Sequence, residues 1–208
     1  IGYIALAVNT TGILNTAVGN NSLYNNIGGS NNVALGHQAL TTNTYGNYNV
    51  GVGWHALASN STGNGNVAVG HAALNSSSIT QYNVAVGFQA MYTTTTGDYN
   101  TAVGYQALLS NTTGIRSTAI GYQSLYNHTL GNDQVAIGHQ SMFTTTTGER
   151  NVAVGNFTLY SNTYGANNVA LGYNALRFST IGGSNVAVGS TSLYNTTTGN
   201  YNVAIGTS

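Results

Sequence analysis

The sequence predicts an all-β protein, a parallel β-solenoid of about twelve coils of 17 residues each. Three observations predict it. Glycine recurs every 17 residues from Gly2 through Gly87 and Gly104 to Gly206, with no insertion or deletion. Each unit contains a large–small–large alternation such as Val84-Ala85-Val86, which is the period of a strand. Proline is absent from all 208 residues, as expected where nearly every backbone N–H is needed by a neighbouring coil.

One unit reads as two short strands and two turns. The valine-rich segment favours a pleated surface, and the Thr-Thr-Gly and Gly-Asn segments supply turn chemistry. Coils stacked about 4.8 Å apart tolerate no extra residue, because one insertion moves every column out of register. A dozen such coils make a rod of roughly 58 Å. A second glycine column runs from Gly12 to Gly199 and lapses only at Thr80.

Variation between coils assigns roles to the columns. The valine-type columns on either side of Ala85, with Val86 as an example, and the Leu/Met column of Leu108 are expected to form the core. The column of Ala85, Ala102, Ala119 and Ala136 is never larger than alanine. Strand alternation turns it away from the valines. It is therefore expected to pack against something close, either the opposite wall of a thin solenoid or, as the favoured assignment, another chain. Asn83 and Asn100 belong to an asparagine column expected to hydrogen-bond along the axis. Gly87 and Gly104 mark a column that needs positive φ or close backbone approach. Three core columns make a thin core, which points to a homo-oligomer, with a parallel trimer first.

Composition limits function. Charged residues are 3% of the chain, lysine and cysteine are absent, and formal net charge is zero. Binding to nucleic acid or to an anionic membrane through charge is excluded on that basis. No apolar run in the segment is long enough to insert in a bilayer. A charged column would set like charges about 4.8 Å apart, at a cost of about 0.9 kcal/mol per pair in water. Arg116, Asp133 and Arg150 obey this logic, occupying one column in successive coils with alternating sign.

The three carboxylates are Asp98, Asp133 and Glu149. Asp133 and Glu149 lie on adjacent coils, but flanking arginines would keep both ionised, so neither suits a general acid. No catalytic residue, cofactor or metal site is expected. His37, His71 and His139 share a column in alternate coils, too far apart to hold one metal, and hint at a two-coil super-repeat. Tyr92, Tyr126, Tyr160 and Tyr194 form an outer aromatic column, a candidate for partner contact or simply a stabilising ladder. Asn9, Asn60, Asn111, Asn127 and Asn195 stand in Asn-x-Ser/Thr sequences and are candidate glycosylation acceptors.

The units NVAVGFQAM (83–91) and NTAVGYQAL (100–108) resemble the NSVAIG-type coils in the heads of trimeric autotransporter adhesins. They resemble still more closely the NTAVGYQAL–NTTG arrays of predicted bacteriophage tail fibres and bacterial surface proteins. The resemblance covers the whole chain, although the 17-residue period is longer than the one typical of the adhesins. It implies a left-handed parallel β-roll, three chains side by side, and exposure on a cell surface or virion.

The expected function is therefore the shaft or head of an extracellular fibre, with adhesion to a surface glycan or receptor through outer Tyr, His and Thr columns. Residues 1–208 are expected to be one repeat domain of a longer chain, with uncapped ends that continue end to end. The alternative is an ice-binding solenoid. It would use the T-x-T pairs Thr42/Thr44, Thr93/Thr95 and Thr144/Thr146 as a regular threonine array.

Overall fold

The structure, a computed structural model, describes residues 1–207. Each coil contributes one three-residue strand, and the described residues contain twelve, from β1 (Thr16–Val18) to β12 (Val203–Ile205). They pair in chain order as one parallel sheet. Register never slips: Val84 faces Thr101, and Thr101 faces Thr118. Each residue thus lies opposite the one 17 positions on, which is why the chain tolerates no insertion. The fold is the expected parallel β-solenoid.

The second strand of each unit does not form. The wall opposite the sheet is turn-like, although it is also bonded coil to coil. Leu40 N donates to Ala56 O at 3.0 Å, and Gln38 N donates to Asn20 O at 2.8 Å. The reason is backbone conformation. Two positions in this wall take positive φ in coil after coil, as at Gln106 (52°) and Leu108 (54°). An L-residue held there costs about 1–2 kcal/mol, so an extended run is broken twice per coil. The strain persists because neighbouring coils bond the same backbone from both sides.

The core differs from the sequence expectation in its facing. Ala85, Ala102, Ala119 and Ala136 are 0% exposed and lie inside the coil, so their assignment to a contact with another chain is corrected. Their partner is the opposite wall: Leu108 and its column, fully buried from Leu23 to Leu176, reach beneath the sheet. The valine-type columns, expected inside, face outward. Val86 is half-buried, and Val69 and Val103 are exposed. The space between the walls decides this. At Gly51, the one glycine in the alanine column, an added Cβ would already lie 3.3 Å from Leu40 Cγ. A valine turned inward has no room. The alternation was legible, but its sign depends on wall spacing, which a column pattern does not carry.

Candidate functional site

The outer face of the sheet is a continuous apolar surface along the rod. Its two columns are Val, Ile or Leu, with threonine only at Thr16, Thr101 and Thr118. Val103 is 36% and Ile120 37% exposed, and the pattern runs the length of the sheet. Exposed apolar area this continuous is unusual for an isolated chain.

Beyond the strand the backbone turns sharply at the glycine column. Gly87 and Gly104 have φ of 135° and 137°, and an added Cβ on either would run into the glycine carbonyl of the next coil. No other residue fits both demands. The residue after each glycine stands at the corner. Over seven successive coils these are His37, Trp54, His71, Phe88, Tyr105, Tyr122 and His139. From His71 to His139 they form one stack, and Trp54 leans on His71 at 45°. Ring centroids are 5.3 Å apart for Phe88–Tyr105, 5.2 Å for Tyr105–Tyr122 and 5.0 Å for Tyr122–His139, each pair within 7° of parallel. Trp54 Nε1 donates to His37 Nδ1 at 2.9 Å. The three histidines singled out from sequence therefore belong to a mixed aromatic ladder. That ladder is readable as a 17-residue aromatic column once Trp, Phe and Tyr are counted with His.

Beside the ladder runs a glutamine column. Gln106 Nε2 donates to Gln89 Oε1 at 2.9 Å, Gln123 to Gln106 at 3.0 Å, and Gln140 to Gln123 at 2.9 Å. The tyrosine column is less regular. Tyr126 and Tyr160 are linked through Phe143, with ring separations of 5.1 and 5.3 Å. Arg177 interrupts above them, its guanidinium 5.4 Å from the Tyr160 ring. Tyr194 meets Phe178 edge-on at 5.0 Å, and Tyr92 is half-buried in the same column.

Asn83 and Asn100 are fully buried. Each side-chain oxygen accepts the backbone N–H of the next coil, as Asn83 Oδ1 does from Asn100 N at 2.8 Å. Each amide donates to a glycine carbonyl one coil on, such as Asn83 to Gly97 at 2.9 Å. Where Gln134 replaces asparagine, its amide still reaches the Gly148 carbonyl.

A second buried amide column was missed in the sequence reading. Asn26 donates to Asn9 Oδ1 at 2.7 Å, Asn43 to Asn26 at 2.8 Å and Asn60 to Asn43 at 2.9 Å. From Asn60 on, this column cycles over three coils: Asn60-Ser77-Thr94, Asn111-His128-Thr145, Asn162-Ser179-Thr196. The two-coil hint from the histidines is replaced by this three-coil cycle. Its consequence is visible: Asn60, Asn111 and Asn162 each keep a buried Oδ1 without a donor, because the next residue in the column is not asparagine.

This column also corrects two glycosylation candidates. Asn60 and Asn111 are 0% exposed, and their amides are engaged inside the coil, so neither is reachable by a glycosyl donor in the folded rod. Asn9 and Asn127 are half-buried, and Asn195 is exposed.

The T-x-T hydroxyls donate along the rod to carbonyls of the next coil. Thr42 donates to Ala58 O at 2.7 Å, Thr44 to Ser61 O at 3.0 Å, Thr93 to Leu109 O at 2.8 Å and Thr144 to Tyr160 O at 2.9 Å. Their donors are occupied before water is reached. Asp133 is gripped in a bidentate pair by Arg116, at 2.6 and 3.0 Å. That hydrogen bond, and then the arginine charges nearby, hold its carboxyl below the usual range. Arg150 lies 3.8 Å from Glu149. These groups form a charge ladder. Among the described residues no three of His, Cys, Asp and Glu gather as a metal site, and no helix is long and apolar enough to cross a membrane. No protein-family model, curated protein or solved structure matches the chain.

Proposed function

We propose that this chain is the rod of an extracellular fibre, in which copies lie parallel and meet through the valine face, with adhesion along the outer aromatic columns. The observation that carries the reading is the pair of exposed apolar columns on an unbroken, in-register sheet. A partner that covers such a face over its whole length must share its rise of about 4.8 Å per coil. A second copy of the chain meets that demand automatically. Closed cyclic symmetry then gives a small ring of rods, and the motif resemblance favours three. The valine face replaces the alanine column as the proposed contact. The Asn, Gly, Ala and Leu columns build each rod, and the low charge lets identical coils lie side by side without repulsion.

Sedimentation equilibrium of the purified chain tests this. A trimer that Val103→Lys with Ile120→Lys converts to folded monomer supports it. A wild-type chain that remains monomeric at high concentration rejects it.

A further inference from the structure

The aromatic ladder and its glutamine neighbour form one continuous ledge, and its chemistry narrows what can dock there. Trp54 is 47%, Phe88 40% and Tyr122 44% exposed, so the ledge is open to solvent. Parallel rings with centroids 5.0 to 5.3 Å apart are offset-stacked, so neighbours overlap part of each ring face. What the ladder presents outward is ring edges and the Tyr105 and Tyr122 hydroxyls. Ring edges carry the positive end of the aromatic quadrupole. The adjoining Gln89, Gln106, Gln123 and Gln140 spend one N–H of each amide, at most, on the ladder bond. Each amide keeps a further N–H to offer. The ledge is therefore a row of weakly positive edges beside a row of amide donors, repeated every coil, with no charged residue in either row from residue 88 to 140.

Such a row suits a neutral, oxygen-rich, extended polymer with a repeat near 5 Å. We infer that the Phe88–His139 ladder and the Gln89–Gln140 ladder together bind a linear β-linked polysaccharide laid along the rod axis, one sugar per coil. An extended β-1,4-linked hexose chain advances by a closely similar length per residue and turns each sugar over relative to the last, so each coil meets one sugar and equivalent hydroxyl and ring oxygens return to the ledge every second coil. A helical α-linked chain does not keep that register. Neutrality fits too: an acidic polysaccharide would find no cation on this ledge. The inference rests on the adhesive part of the fibre reading and names its ligand class.

The test is calorimetric titration of the intact chain with cellohexaose, cellobiose and maltohexaose. Binding of cellohexaose that weakens at least tenfold for cellobiose and for maltohexaose is the expected result. Tyr105→Ala with Tyr122→Ala is expected to lower cellohexaose affinity at least tenfold. Because these changes remove stacking, a second variant, Gln106→Glu with Gln123→Glu, keeps side-chain size and is expected to weaken binding as well. Circular dichroism verifies that each variant is folded. Absence of cellohexaose binding at millimolar ligand overturns the inference, as does binding that ignores both variants. Sedimentation equilibrium on the same samples reads the fibre proposal separately, so a trimer without sugar binding rejects the ledge alone.

Discussion

Thr80 Oγ1 donates to Ser77 Oγ at 2.8 Å, and this bond joins the one lapse in the second glycine column to a lapse in the buried amide column. The two are coupled by space. At the preceding coil an added Cβ on Gly63 would strike the Asn60 side-chain oxygen and the Thr80 carbonyl. A side chain at position 80 therefore needs a residue smaller than asparagine at 77. The carbonyl contact is not relieved by serine, and the corner opens. Ser61 N bonds Ser78 O and Thr95 N bonds Thr112 O, but among the described residues no bond joins Ser78 N to Thr95 O.

Ser77→Asn alone should therefore destabilise the rod by about 1–3 kcal/mol through overpacking against Thr80. Adding Thr80→Gly should reverse the loss and leave the double variant more stable than the parent by about 1 kcal/mol. The new amide would bond Asn60 Oδ1, and the corner bond would return. Chemical denaturation of both singles and the double gives the coupling energy directly.

His128 makes the rod acid-sensitive. It is fully buried in the amide column, with Nε2 against Gly131 O at 2.7 Å and Nδ1 unpartnered. Burial lowers its pKa from 6.5 to about 4, only partly opposed by the Gly131 carbonyl. The unfolded chain then binds the proton more readily than the folded one. Stability is complete above pH 6.5 and falls as pH drops towards about 4, by a total on the order of 3 kcal/mol. His55, lowered by slight burial and by His37 and His71, acts with the same sign, but solvent screens most of its effect. Asp133, its carboxyl held below the usual range by Arg116, contributes stability that is complete above its ordinary value of 3.8 and is lost only as pH falls below it. His128→Asn should flatten the curve between pH 4 and 6.5. It should also give Asn111 Oδ1 the donor it lacks. Denaturant midpoints across pH measure both effects.

The inward alanine column is testable by volume. Ala119→Leu should cost about 3 kcal/mol or more, because the leucine wall of Leu108 and its column leaves it no space. Thr118→Val, one residue earlier and facing outward, should change stability by no more than about 0.5 kcal/mol. If the two costs were reversed, the facing described for the strand would be wrong.

Much of this architecture was legible because a 17-residue period with no indels leaves one stacking solution. The asparagine and glycine columns were readable for the same reason. The sign of the strand was not. Val84-Ala85-Val86 alternates identically whether valine points in or out, and only the reach of Leu108 from the opposite wall decides. Positive φ at leucine and glutamine was hidden as well, since neither residue advertises it. The aromatic ladder was concealed by counting histidine and tyrosine separately. The second amide column was concealed by its cycle of Asn, Ser or His, and Thr.

Cryo-electron microscopy of the assembled particle shows whether rods meet through the valine face. The expected density shows parallel rods joined along the columns of Val103 and Ile120, with Ala102 and Ala119 sealed inside each coil and the Tyr105–Tyr122 ladder open to solvent. A single rod whose valine face meets only water, or copies joined through the aromatic ladder, would contradict it.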